Sequence, residues 1–165
     1  MIDVHILMHS GTRPGWLAQC LESLASEPCT VHVVRGAEGD IAAGRARGFA
    51  LGVHPYVTFV DSDDYVLPGA MAAMCAALEH HDAAVGREMV LLQNGELHGA
   101  IAGHHLHALR RSAIAPHLQT YGSRFAGRHC CAALREIAEP ARVDAVTYVW
   151  RLHERQSSRN WRWMP

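Results

Sequence analysis

Four consecutive residues, Asp61-Ser62-Asp63-Asp64, carry three carboxylates. Like charges this close repel one another, and at the end of a buried strand a cation or strong hydrogen bonding must offset the repulsion. A divalent ion is the natural partner. Oxygen-only ligands suit Mg²⁺ or Mn²⁺, and an ion held by a few carboxylates usually completes its shell with phosphate oxygens, as a nucleoside diphosphate would supply. The plainer reading is a solvated acidic turn that caps the next helix, and the surrounding sequence must decide between the two.

The elements that would position this cluster can be read from periodicity. Val4–Met8 is a short apolar run suited to a buried strand, and His9–Gly15 is dense in turn formers. Trp16, Leu17, Cys20, Leu21 and Leu24 recur at helical spacing until Pro28, and Thr30–Val34 reads as a second strand. A helix over Ile41–Leu51 and a strand over Tyr56–Val60 repeat the unit. Alternating strands and helices imply a parallel sheet, and ligands bind such sheets beyond the carboxyl ends of the strands, where Asp61 begins. Leu67-Pro68-Gly69 opens a further helix with Pro68 in its first turn and Met71, Met74, Cys75 and Leu78 on its apolar face. Val85–Gln93, Asn94-Gly95 and Glu96–His98 read as a tight hairpin. A helix over His129–Glu139 and a strand over Val143–Trp150 follow, then a polar tail, Arg151–Pro165.

Three segments taken in order resemble family 2 glycosyltransferases. They are Ile41-Ala42-Ala43-Gly44-Arg45-Ala46-Arg47-Gly48-Phe49-Ala50, then Tyr56-Val57-Thr58-Phe59-Val60-Asp61-Ser62-Asp63-Asp64, and Pro68. The likeness extends to Trp16–Leu24 and to Tyr148–His153 with Ser157-Ser158-Arg159. It implies an α/β fold of the GT-A-like, Rossmann-type three-layer kind with a mainly parallel central sheet. Carried over residue by residue, it implies that Asp63 binds Mn²⁺ or Mg²⁺, that Asp61 sits at the donor ribose or the metal shell, that Arg45 contacts the nucleotide, and that His153 is the distal metal ligand. A metal held by Asp63 and His153 would act as a Lewis acid on the departing diphosphate.

Two segments depart from the family pattern. An acidic pair is usual after the second strand, but Val33-Val34-Arg35-Gly36-Ala37-Glu38 stands there. Asp40 is the nearby substitute for base recognition, and Arg35 is a donor-binding candidate able to meet a phosphate, beside its plainer reading as an exposed loop arginine. In the segment that usually supplies the general base, Gly127-Arg128-His129-Cys130-Cys131-Ala132-Ala133-Leu134-Arg135 places His129 where an Asp is expected. An imidazole can serve as a base near neutral pH. Glu88, Glu96 and the histidines of Gly103-His104-His105-Leu106-His107 are the alternatives. Successive residues of an extended chain face opposite ways, so those histidines read as acceptor-pocket lining or plain surface rather than a zinc site.

Composition bounds these readings. The chain has 165 residues, 49% apolar and 19% charged, which excludes global disorder and suits one domain over residues 1–150 with a basic, aromatic tail over 151–165. A net charge of -1 gives no global field for nucleic acid or an anionic membrane. All 15 basic residues are Arg, which removes Schiff-base chemistry and a P-loop lysine. Five cysteines with no C-x-x-C pair, no leader pattern and no apolar run of about 18 residues point to a cytoplasmic protein without a membrane segment.

The expectation is therefore a metal-dependent, inverting transfer of a sugar from a nucleoside diphosphate donor, a UDP-sugar favoured, to a hydroxyl acceptor. A compact or truncated member of the family would have its acceptor side shallow or completed by a second copy in a homo-oligomer. The rivals are a noncatalytic nucleotide-sugar or glycan-binding module, and a nucleotidyltransferase, which would release pyrophosphate from a nucleoside triphosphate.

Overall fold

In the computed structural model, residues 1–8, 11–36, 40–126 and 130–154 are described. β1 (Ile2–Met8) is buried along nearly its whole length because β2 (Cys29–Arg35) and β3 (Tyr56–Asp61) pair with it in parallel on either side. A strand flanked at both edges and covered on both faces must be apolar at nearly every position, as Ile2, Val4, Ile6 and Leu7 are. Seven strands form one sheet in the order β2-β1-β3-β6-β5-β7-β4. The others are β4 (Tyr65–Val66), β5 (Ala83–Leu91), β6 (Leu97–Arg110) and β7 (Ala141–Arg151). β5 and β7 run parallel, whereas β6 is antiparallel to both β3 and β5, and β4 is antiparallel to β7.

The helices cover both faces. On one, α1 (Pro14–Leu24) and α3 (Ala70–Leu78) pack Cys20, Leu24, Met71, Met74 and Leu78 against Val4, Ile6, Ala84, Tyr148 and Trp150. On the other, α2 (Ile41–Phe49), α5 (Leu118–Arg124) and α6 (Cys130–Ile137) bury Phe49, Tyr121, Phe125 and Leu134 against Val57, Phe59 and Leu109. The result is the three-layer α/β sandwich expected. At nine residues α3 is too short to be stable alone, so burial holds it: Met71, Met74 and Leu78 are all 0% exposed, each contributing roughly 1.5–3 kcal/mol. No described helix is long and apolar enough to cross a membrane.

The main differences from the sequence reading lie in the middle of the chain. The hairpin's second strand does not end near His98 but runs on to Arg110. The strand therefore takes in the histidine-rich stretch, and His105 and His107 in it are buried, 7% and 1% exposed, rather than surface. α4 (Arg111–Ile114) and α5 follow where no element was expected. Helix α3 starts at Ala70, after Gly69 at φ 85° ends the turn holding Pro68.

Candidate functional site

The site gathers at the carboxyl end of β3. β6 pairs with β3 only from Tyr56 to Thr58, so Asp61 emerges past the point where that neighbour leaves. The Asp64 N–H donates to the Asp61 carbonyl (3.0 Å), closing a turn that feeds β4. β4 pairs with the end of β7, Tyr65 opposite Val149 and Val66 opposite Tyr148, which brings Tyr148, Arg151 and His153 to the acidic turn.

Arg45 comes from α2. Gly44 and Gly48 face β1 on that helix, and a Cβ at Gly44 would stand 2.6 Å from Leu7 while one at Gly48 would meet the His5 ring. The bare backbone lets α2 lie close enough for Arg45, 3% exposed, to reach Asp61. Its guanidinium pairs with Asp61 Oδ1 and lies 3.9 Å from the Phe59 ring centroid. Arg45 is therefore buried beneath Asp61 and meets that carboxylate, where the family resemblance has it touching the nucleotide.

Asp64 is 1% exposed. The Tyr148 hydroxyl donates to its Oδ2 (2.8 Å), and the Arg151 N–H donates to its Oδ1 (2.7 Å). The same Tyr148 oxygen accepts the Asp61 N–H (3.2 Å). Burial, then the charges of Asp63 and Asp61, push the Asp64 carboxyl well above the usual range despite those two bonds. Burial, with Asp64 and Asp61 adding to it, likewise raises the Tyr148 hydroxyl. The Cys20 thiol, which donates to the Asp61 carbonyl (3.7 Å), is pushed up by burial and by all three carboxylates, so it is no nucleophile.

Asp63 is partly buried, its side chain 17% exposed. His153 Nε2 lies 2.7 Å from its Oδ2, with Trp16 packed 4.8 Å from the His153 ring. Arg151 braces the turn by donating from Nε to the Asp63 carbonyl (2.8 Å) and from Nη2 to Gln19 Oε1 (2.5 Å). Thr12 and Ser62 hydroxyls are 2.9 Å apart and tie the α1 side to the same turn.

Inside the sheet, Glu88 is 0% exposed and meets His105 twice: its Oε2 accepts the His105 N–H (3.1 Å), and both its oxygens lie within 3.3 Å of His105 Nδ1. Backbone irregularities in β5 flank Glu88, and such bulges re-aim side chains. Among the described residues, Asp61, Asp64 and His105 form the one group of three metal-ligating side chains whose ligand atoms lie within 4.8 Å of one another.

The structure places Asp61, Asp63, Arg45 and His153 at one acidic turn, with Asp64, Tyr148, His105 and Glu88 beside them. Asp64 was legible as part of the acidic run, and Glu88 and His105 only as two of several candidate bases. Asp40 caps α2, its Oδ1 accepting the Ala43 N–H (2.8 Å). Arg35 ends β2 with an exposed side chain. Glu96 sits at the hairpin turn bonded to Asn94, and His129 and the tail beyond Glu154 lie outside the described residues.

A family model, glycosyl transferase family 2, matches residues 9–141. Solved structures similar to the chain include S. aureus TarS 1-349, at 14% identity and TM-score 0.67, over 91% of this chain and 60% of that one. The same protein in complex with UDP matches at 14% identity and TM-score 0.69 over 92% and 60%. In complex with UDP-GlcNAc it matches at 13% and 0.66 over 94% and 59%. At such identity the likeness shows the fold, and the chain spans about three fifths of the TarS fragment's length. No protein of curated function matches the sequence.

Proposed function

The chain belongs to glycosyl transferase family 2, and from that premise we propose that it transfers a sugar from a nucleoside diphosphate donor to a hydroxyl acceptor, using a divalent cation. The observation that carries this is the acidic end of the sheet. Three carboxylates lie there at the carboxyl terminus of a parallel strand, with His105 grouped with Asp61 and Asp64 and His153 against Asp63. Hard oxygen donors in this number fit Mn²⁺ or Mg²⁺, and carboxylates so crowded are relieved by positive charge. A bound cation supplies Lewis-acid stabilisation of the diphosphate that departs from the sugar.

The chain's own residues hold the rest of the site. Arg45 fixes Asp61 at the mouth, where that side chain is 30% exposed, and Tyr148 and the Arg151 backbone hold Asp64 behind it. Asp40, which caps α2, and Arg35, at the end of β2, are the proposed donor-binding residues, and the UDP and UDP-GlcNAc complexes of the TarS fragment favour a UDP-sugar as first substrate to try. His129 is the proposed general base, which would make the transfer inverting.

The test is transfer and UDP release from UDP-GlcNAc with Mn²⁺, for the wild-type chain and for Asp61→Asn, which keeps an oxygen for Arg45. Loss of at least about 100-fold in turnover is expected in a variant that still unfolds cooperatively, with its midpoint lowered because the Asp61 charge no longer balances buried Arg45. Turnover by Asp61→Asn within about twofold of wild type overturns the proposal. The histidine at the position of the expected Asp favours one rival, a binding module. Metal-dependent nucleotide binding without turnover of any donor would establish it.

A further inference from the structure

The acidic turn touches two histidines, and they are differently built. His153 and Asp63 meet each other directly, and no third metal-ligating atom among the described residues joins that pair within 4.8 Å. His105 is as buried as His153, their side chains 9% and 8% exposed, but it is grouped with both Asp61 and Asp64. Its ring is fixed from several directions: stacked on Tyr148 at 5.6 Å with 4° between the planes, packed 4.7 Å from Trp150, and held at Nδ1 and at its backbone N–H by Glu88.

We propose that His105 is a ligand of the cation, together with Asp61 and Asp64, and that Glu88 is the residue that positions it. This rests on the reading that the acidic end binds a divalent cation, and it specifies where. A carboxylate only accepts hydrogen bonds, so Glu88 holds a ring proton on Nδ1, and Nε2 is the nitrogen that would serve a cation. Metal-ligating histidines are commonly oriented this way, by a carboxylate on the nitrogen that does not bind the metal. Tyr148 serves the same group from the other side, giving its proton to Asp64 while accepting the Asp61 N–H. Each Asp64 oxygen already accepts one hydrogen bond and keeps a second lone pair for a cation. Asp61 is the partly exposed member through which an ion would enter. Two carboxylates and an imidazole suit Mn²⁺ better than Mg²⁺, which prefers oxygen alone.

The experiment uses Mn²⁺ alone, at substoichiometric concentration, bound to the full chain. Electron spin-echo modulation reports a directly coordinated imidazole nitrogen, and titration gives the affinity. Wild type and His153→Asn are expected to show the nitrogen modulation and His105→Asn to lose it, while Glu88→Gln weakens Mn²⁺ binding by about 10–100-fold. If His105→Asn does not fold, His153→Asn decides alone: retained modulation supports the proposal and lost modulation overturns it. Modulation that survives in His105→Asn, or Mn²⁺ bound to the wild type without any nitrogen coupling, overturns the assignment of His105 and leaves the glycosyltransferase reading standing. No Mn²⁺ binding, with or without a nucleoside diphosphate, overturns both.

Discussion

Asp3 and Asp64 are both buried, 3% and 1% exposed, near opposite ends of parallel strands in one sheet, and their surroundings treat them oppositely. Asp3 is fully compensated. It receives His32 Nε2 (2.9 Å), the His54 N–H (2.7 Å) and Arg111 Nη2 (2.6 Å), and Arg111 also donates to the carbonyls of Phe49, Leu51 and His54. Burial alone would raise the Asp3 carboxyl, but those bonds and the guanidinium outweigh it and hold the group below its ordinary range. Asp64 has only a hydroxyl and one backbone N–H to set against burial and two neighbouring carboxylates, so its carboxyl goes up. A buried charge matched on every side is architecture. One left short of positive charge is where a cation or a charged ligand belongs.

That contrast can be broken first at its compensated end. Arg111→Ala removes the guanidinium from a buried carboxylate and should cost about 3–5 kcal/mol of stability, read by urea unfolding. A loss below about 1 kcal/mol would mean that His32 and the His54 N–H suffice. At the other end, Asp64→Asn relieves repulsion among three carboxylates. In EDTA it should stabilise the chain by about 1 kcal/mol, roughly 2–4 °C in midpoint, while the gain wild type draws from Mn²⁺ falls away. Destabilisation in EDTA would show that the Tyr148 and Arg151 bonds already satisfy the charge.

The smallest effect sharpens the comparison through pH. A lowered carboxyl such as Asp3 contributes stability that is present above its unfolded value near 3.8 and is lost as pH falls through the folded value. The raised Asp64 contributes in the other sense, present below 3.8 and lost as pH rises through its folded value. Urea unfolding in EDTA from pH 2 to 7 should therefore show the acid-side loss diminished in Asp3→Asn and the loss on raising pH diminished in Asp64→Asn.

How much of this the sequence revealed depended on whether the signal was local. β1, β2 and β3 followed from short apolar or β-forming runs and α1 from a period of 3.6, punctuated by Pro28 and turn formers, and the acidic run fell at a strand end as the strand–helix alternation required. The inner half of the site was hidden because its residues are made core by distant partners. His105 and His107 read as polar, yet β6 places them under Glu88, Tyr148 and Thr58 from other strands. α4 and α5 are four and seven residues long, Pro116 lies in the turn between them and Gly122 within α5, so propensity favours neither. Tyr121 and Phe125 packed beside Phe49 hold α5 in place. Arg45 showed the reverse limit. Its motif was visible, but only the close approach of α2 at Gly44 and Gly48 reveals that it supports Asp61 from below.

The central claim is that the undercompensated end of the sheet takes a cation and a nucleoside diphosphate together. Thermal unfolding of the chain against UDP, GDP, CDP, ADP and dTDP, each with Mn²⁺, Mg²⁺ or EDTA, tests it directly. A ligand at about 100 times its dissociation constant adds about 2.7 kcal/mol, so one nucleotide should raise the midpoint by several degrees with Mn²⁺ and not with EDTA. A midpoint unmoved by every nucleotide and metal pair would contradict the account.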